Sequence, residues 1–256
     1  MPSIRRLFWD IETSPNRGLF FRAGYDQNIN PECIEEERKI ICIGYKWTDE
    51  EPVVLRWDSR KDDAAMLRAF GKIANEADEM VAHYGDRFDL PWFRGRCLLN
   101  GILIPDYKTI DTKAWASKYF SFNSNKLDYL AGVMGFGHKL KTDFQLWKDI
   151  MGSDRKKYQT ALDYMCKYCG VDVIRLEQVY NKLAQYVKPK THVGVMSGRD
   201  KWSCPRCASL VVKKNKTRVT AAGTVAHQMQ CRKCGASYTI NQKTHSDYCE
   251  AKKKVP

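Results

Sequence analysis

Near the start of the chain an apolar run, Leu7, Phe8, Trp9 and Ile11, is interrupted by two carboxylates, Asp10 and Glu12. Such density over so few residues predicts a buried strand across Arg5–Glu12, and the two-residue period of a strand puts both acids on one face. Two further β-rich runs follow, Ile40–Trp47 and Val53–Trp57. Between them and the first strand, Thr13–Lys39 is punctuated by Ser14, Pro15, Asn16, Gly18, Gly24, Asn30 and Pro31 and reads as a loop. Ala65, Met66, Ala69, Phe70, Ile73, Ala74 and Ala77 recur at helical spacing and predict a helix over Asp62–Glu76, followed by a strand over Met80–Tyr84.

Phe88 and Asp89 then lead into a helix whose first turn carries Pro91, so Asp89 sits at a helix start. Tyr107–Asp111 is a short strand, and Lys126–Met134, Gln145–Met151 and Lys157–Leu183 are helical. In the last of these Tyr168 and Asp172 are four residues apart and project from one face, which Tyr164 continues. Asp86, Asp111 and Asp128 read as turn or capping residues, and Cys166 and Cys169, inside a helix without a partner pair, as buried thiols. The helical pattern ends at Lys188–Lys190. Beyond it Cys204 and Cys207 are followed, after twenty-three residues, by Cys231 and Cys234, among β-prone Leu210–Val212 and Ser237–Ile240.

Composition narrows the classes. The 256 residues suffice for one medium α/β domain and a small appendage. No apolar stretch is long enough to span a membrane and no signal-peptide core precedes the first strand, so a soluble, cytoplasmic protein is expected. The net charge of +13 is uneven: residues 191–256 carry +10 and residues 1–190 only +3, an attraction for a polyanion. The paired C-x2-C units of this basic part are a zinc-ribbon pattern, with Ala208 where a glycine is frequent. His227, His245 and Cys249 lack fixed-spacing partners and read as ordinary surface. The expected organisation is a catalytic domain over 1–190, a linker over 191–201, a zinc ribbon over 202–242 and a basic tail over 243–256, its Lys252–Lys254 end disordered.

Acids that share one strand face repel unless cations neutralise them, and oxygen ligands suit Mg²⁺ or Mn²⁺. Three motifs of this kind stand in order: Phe8-Trp9-Asp10-Ile11-Glu12-Thr13, Phe88-Asp89 and Tyr168-Cys169-Gly170-Val171-Asp172. They resemble the Exo I, Exo II and Exo III motifs of the DEDD (DnaQ-like) 3′→5′ exonucleases, tyrosine subclass. The closest resemblance is to the proofreading-type domains of family-B DNA polymerases and to stand-alone relatives with a C-terminal zinc ribbon. The resemblance covers roughly the first three quarters of the chain. It implies an α/β, ribonuclease H-like mixed sheet flanked by helices, and hydrolysis of phosphodiester bonds at DNA 3′ ends by two Mg²⁺ or Mn²⁺ ions. Asp10 would bridge both ions, Glu12 and Asp172 would complete the nucleophile side, Asp89 would support the leaving-group side, and Tyr168 would orient the water.

One position departs from the pattern: Tyr84 stands where Exo II motifs carry Asn, and slower turnover or a shift toward Mn²⁺ is expected. The segment Ser124–Asp128 resembles a substrate-channel helix start and nominates Lys126 for nucleic-acid contact. In the ribbon, which would bind one Zn²⁺ through Cys204, Cys207, Cys231 and Cys234, the nominees are Arg206, Lys213, Lys214, Lys216, Arg218, Arg232 and Lys233. Phe20, Phe21 and Tyr25 either touch bases or pack their loop down. The expected partner is DNA, single-stranded or at 3′ ends, with RNA as an alternative substrate and a replication or repair protein as a further partner. Two readings of other kinds stay open, a non-catalytic nucleic-acid-binding protein and a structure-selective endonuclease.

Overall fold

The strand that carries Asp10 and Glu12, β1 (Arg6–Thr13), lies in the middle of a five-stranded sheet. The computed structural model describes residues 4–22, 24 and 28–253, so Tyr25 lies outside the described residues. Contacts divide the chain into two units, one of Arg5–Tyr180 and one built from Ile4 and the residues from Asn181 onward. In the first unit β1 is followed by a small ribbon, β2 (Arg17–Gly18) with β3 (Ile34–Glu36), then β4 (Ile40–Trp47), β5 (Val53–Arg56), α1 (Ala64–Ala74), β6 (Glu79–Ala82) and α2 (Asp89–Leu99). β7 (Thr109–Asp111), α3 (Thr112–Tyr119), α4 (Leu127–Val133), α5 (Phe144–Met151) and α6 (Arg155–Leu183) complete it. The sheet order is β5-β4-β1-β6-β7, with β1 antiparallel to β4 and parallel to β6, a mixed sheet.

Strand periodicity sorts β1 into two faces. Leu7, Trp9 and Ile11 join the core under α1 and α2, where Trp9 packs on Phe70 and Phe93 with ring centroids 5.2 and 6.0 Å apart. Phe8, Asp10 and Glu12 therefore face the other side, where Phe8 meets Tyr180 of α6 edge-on at 5.3 Å. Opposite them in register, Lys46, Gly44 and Cys42 of β4 line the same face. α6 lies along this row: Glu177 takes Lys46 in a buried ion pair, and Cys169 and Val173 lie over Gly44. A Cβ at Gly44 would stand 2.8 Å from Cys169 Sγ and 3.1 Å from a Val173 methyl, so the glycine permits the close approach that brings α6 to β1.

Two buried acids hold the periphery. Asp63 accepts from the Ile40 N–H at 3.0 Å and from Arg96 at 2.8 Å through both oxygens, tying the start of β4 to α2. Asp111 caps α3 through the N–H groups of Lys113 and Ala114 and also accepts from the Tyr84 N–H. The helix α3 and the β2–β3 ribbon are additions to the sequence reading. Thr112–Tyr119 has too few apolar positions for a periodic stripe, and the ribbon is too short to announce itself.

In the second unit the chain forms α7 (Val193–Met196), the antiparallel strands β8 (Val212–Val219), β9 (Val225–Cys231) and β10 (Ser237–Asn241), and α8 (Gln242–Lys253). Two expectations change here. Residues 191–201, read as a linker, include α7, whose Val193 N–H donates to Pro205 O at 2.9 Å. The basic tail is helical as far as Lys253, because Tyr248 and Ala251 pack on the core of Trp202, Met229 and Ile240; Lys254 lies outside the described residues. Among the described residues no helix is long and apolar enough to cross a membrane.

Gly44→Ala is expected to cost about 1–3 kcal/mol in chemical denaturation, the usual range for overpacking. Adding Cys169→Ala, which vacates the space, should recover part of that loss. A Gly44→Ala chain as stable as the parent would contradict the close approach of α6.

Candidate active site and metal-binding cysteines

Three elements deliver acids to one place. β1 supplies Asp10 and Glu12, α6 supplies Asp172, and carboxylate oxygens of the three all lie within 4.8 Å of one another. Asp89, the first residue of α2, is buried beside them but outside that group, and its Oδ1 accepts the Ile11 N–H at 3.1 Å. The turn before it is closed by Tyr84 O, which accepts from the N–H groups of Arg87 and Phe88.

The cost of this crowding appears in the protonation of the acids. Burial, then the charges of Asp89, Asp172 and Glu12, push Asp10 well above the ordinary carboxylate range. Burial and the charge of Asp172 raise Glu12 to about 8. Asp89 is raised to about 7 by burial, although the Ile11 N–H favours its ionised form. Asp172 is also raised by burial, against the pull of Lys139 and Tyr168.

Lys139 was not among the residues nominated from sequence. It lies between α4 and α5, and its ammonium forms an ion pair with Asp172 Oδ2 and stands 3.5 Å from the Tyr168 hydroxyl. Burial pulls it down, but Asp172 and Asp10 outweigh that and hold it charged. Asp128 is what places it: rather than capping its own helix, Asp128 takes the Lys139 N–H and the His138 ring. Tyr168 is half-buried at the edge of the cluster, and burial and Asp172 push its phenol above the ordinary value, so it keeps its proton at neutral pH. Tyr164 donates to Lys141 O at 2.7 Å, steadying the same segment.

The site suits divalent cations. Asp172 Oδ1 is buried without a hydrogen-bond partner, which is costly for a carboxylate unless a cation takes it. Among the described residues Lys139 is the ammonium paired at the cluster, and its single charge does not balance four acids; hard oxygen donors are the ligands that Mg²⁺ and Mn²⁺ prefer.

A second group of candidate ligands lies in the other unit. Cys204, Cys207, Cys231 and Cys234 have sulfurs within 4.8 Å of one another, with Sγ–Sγ separations of 3.6 Å for Cys204–Cys234 and 3.7 Å for Cys207–Cys231. Disulfides need about 2.05 Å, whereas a tetrahedron with 2.3 Å metal–sulfur arms has edges of about 3.8 Å. Each pair is a turn that aims N–H groups at sulfur, those of Arg206 and Cys207 at Cys204, and those of Lys233 and Cys234 at Cys231. The residue after each turn is left-handed, Gly235 at φ 73° and Ala208 at φ 57°, so Ala208 takes a conformation that glycine adopts without strain.

Other nominees fall in different settings. Lys126 is exposed at the start of α4, and Lys214, Lys216, Arg218, Arg232 and Lys233 are exposed on the second unit, with Lys213 half-buried. Arg206 is tied down, donating to Val187 O at 3.2 Å. His227, expected at the surface, is buried between Thr217 and Gln242 and stacked on His245 at 3.8 Å. Cys169 is buried and Cys166 half-buried against Cys42, all as free thiols. Phe20 and Phe21 are exposed and do not pack their loop down.

Comparison with known proteins agrees with this architecture. The family model of the RNase_H superfamily matches residues 32–184, a span that holds Asp89, Tyr168 and Asp172 and begins after Asp10 and Glu12. No curated protein matches the chain. A solved family B DNA polymerase from the hyperthermophilic archaeon Pyrobaculum calidifontis matches with a TM-score of 0.54 at 19% identity, over 72% of this chain and 25% of the polymerase chain. The chain thus spans about a quarter of that polymerase's length, and at this identity the likeness is one of fold.

Because Glu12 and Asp89 titrate near 8 and 7 when folded, against ordinary values of 4.5 and 3.8, the folded protein without cations holds more protons than the unfolded chain in between. Their contribution to stability is complete below about pH 4 and is lost as pH rises through about 7 to 8. The thermal midpoint without divalent cations is therefore expected to fall between about pH 5.5 and 8.5, with added Mg²⁺ restoring more at the higher pH. A midpoint indifferent to both pH and cation would contradict this electrostatic picture.

Proposed function

The chain belongs to the RNase_H superfamily, and from that footing we propose that it is a 3′→5′ exonuclease of the DEDD tyrosine type, hydrolysing DNA ends. The observation that carries this reading is the convergence of Asp10, Glu12 and Asp172 within 4.8 Å, with Asp89 buried beside them. The fold likeness to a family B DNA polymerase supports it, since the sequence motifs resemble the proofreading domains of such enzymes.

Asp10, Glu12, Asp172 and Asp89 would hold two Mg²⁺ or Mn²⁺ ions, which supply acidification of the attacking water and neutralisation of charge at the phosphorus and the leaving 3′ oxygen. Asp10 would serve both ions, and Asp89, whose carboxylate accepts the Ile11 N–H, would serve the leaving-group side. Tyr168, which keeps its proton, orients the water and does not act as its base. Lys139 occupies Asp172 Oδ2, leaves Oδ1 free as a ligand, and offsets part of the negative charge that the site gathers. The four cysteines would bind one Zn²⁺, and the ribbon they brace would grip the phosphate backbone through Lys213, Lys214, Lys216 and Arg218 of β8 and through Arg232 and Lys233.

End-labelled linear and circular DNA and RNA, digested with Mg²⁺ and with Mn²⁺, test the activity. Mononucleotides are expected from linear DNA alone or in excess over RNA, and none from circles. Asp10→Ala should abolish hydrolysis while the fold is retained, and Tyr168→Phe should lower kcat by about 10²-fold. A rate within about tenfold of the parent for Asp10→Ala would refute the assignment, since loss of a group that acts in the transition state costs more.

For the ribbon, elemental analysis should find one zinc per chain, lost in Cys204→Ser with Cys231→Ser and kept in Cys166→Ser. Zinc retained in the double variant would refute the ligand set. Replacing Lys213, Lys214, Lys216 and Arg218 by Gln should lower the slope of log affinity against log salt by about three units on single-stranded DNA. An unchanged slope would take β8 out of substrate binding.

A further inference from the structure

A cavity of about 330 Å³ opens beside the turn that leads to Asp89, lined by Tyr84, Arg87, Asp111, Lys113, Ala114, Ser117 and Lys118. The volume lies at the low end for small-ligand sites. Three cations border it, and among the described residues none of them makes an ion pair. Its one carboxylate, Asp111, has Oδ1 taken by the N–H groups of Tyr84, Lys113 and Ala114 at 2.9–3.1 Å, and its single charge is outnumbered by the three cations. What the cavity offers a ligand is therefore positive charge, the Ser117 hydroxyl, and one aromatic ring.

That ring is held in an unusual way. Tyr84 has φ 72°, a left-handed conformation that Asn adopts readily and a bulky side chain seldom does. Tyr84 is nevertheless 39% exposed, with the Lys113 ammonium 3.7 Å from the ring centroid. The ring is presented at the cavity mouth, next to cations that match phosphate. Planar stacking surface together with unpaired cations is the chemistry that recognises an unpaired nucleotide.

We propose that Tyr84, Arg87, Lys113 and Lys118 form a subsite for one unpaired nucleotide, with the base on the Tyr84 ring and its phosphate between the cations. The proposal rests on the nuclease reading for its position in the substrate path: the turn closed by the Tyr84 carbonyl leads directly into Asp89, the first residue of α2. Paired bases offer no free face, so the subsite favours unpaired ends over duplex ones.

The test uses the full chain and two variants at position 84, chosen because Asn suits the left-handed backbone and Phe keeps the ring. Affinity for labelled (dT)8 and (rU)8, and for a blunt duplex of equal length, is read by anisotropy without added divalent cation. Tyr84→Asn should weaken single-strand binding about tenfold, Tyr84→Phe should restore most of it, and duplex binding should not change with either. Lys113→Gln with Lys118→Gln should lower the single-strand salt slope by about 1.4. In turnover with Mn²⁺, Tyr84→Asn should raise KM about tenfold without lowering kcat, as loss of one stacked base predicts. Equal single-strand affinities for the parent and Tyr84→Asn, or an equal loss on duplex, would overturn the subsite. Hydrolysis with an unmoved KM would also overturn the subsite and leave the exonuclease standing; Tyr84-dependent binding without any hydrolysis would do the reverse.

Discussion

Three carboxylates that repel one another are forced together by a helix pressed onto a strand, and a fourth, Asp89, is buried beside them. β1 places Asp10 and Glu12 on the face away from the Trp9–Phe70–Phe93 core, and α6 can reach that face because Gly44 has no side chain. Burial of Phe8, Cys169 and Val173 along the α6 seam supplies the favourable term that opposes the repulsion. The Lys46–Glu177 pair fixes the helix against sliding along the strand. Raised carboxyl groups and an unpartnered Asp172 oxygen are what remains of the conflict, and bound cations would relieve both.

Lys139 and Tyr84 show how a loop completes such a site. Lys139 lies more than a turn from any periodic element, and it enters the cluster only because Asp128 folds its segment back over α6. Tyr84 closes the turn before Asp89 with its carbonyl while its N–H is taken by Asp111. In the second unit the thiols play the organising part, with three short strands and α8 arranged around two turns whose N–H groups face sulfur.

Much of the frame was legible in the chain, for reasons of period and chemistry. Ile40–Trp47 reads as a strand because its apolar run is short and β-branched, and Lys157–Leu183 as a helix because its stripe persists over many turns; the helix formed begins two residues earlier, at Arg155. Asp10 and Glu12 share a face by strand geometry alone, and Tyr168 and Asp172 share one by helix geometry. Lys139 was not legible, since its partners lie about thirty residues away and no spacing rule joins them. Nor was α3, whose single signal is the cap Asp111, or the fate of His227, which looks like surface until β8, β9 and α8 close over it. Ala208 and Tyr84 looked like departures from familiar patterns; the structure gives both a physical reading as left-handed residues without a glycine.

The central claim is that the acid cluster is a cation site built by the fold, and Mn²⁺ titration followed by electron paramagnetic resonance on zinc-saturated protein tests it most directly. The account predicts two Mn²⁺ ions bound by the parent chain and a loss of at least one in Asp10→Asn, with Cys166→Ser matching the parent. Equal Mn²⁺ stoichiometry and affinity in the parent and Asp10→Asn would contradict it.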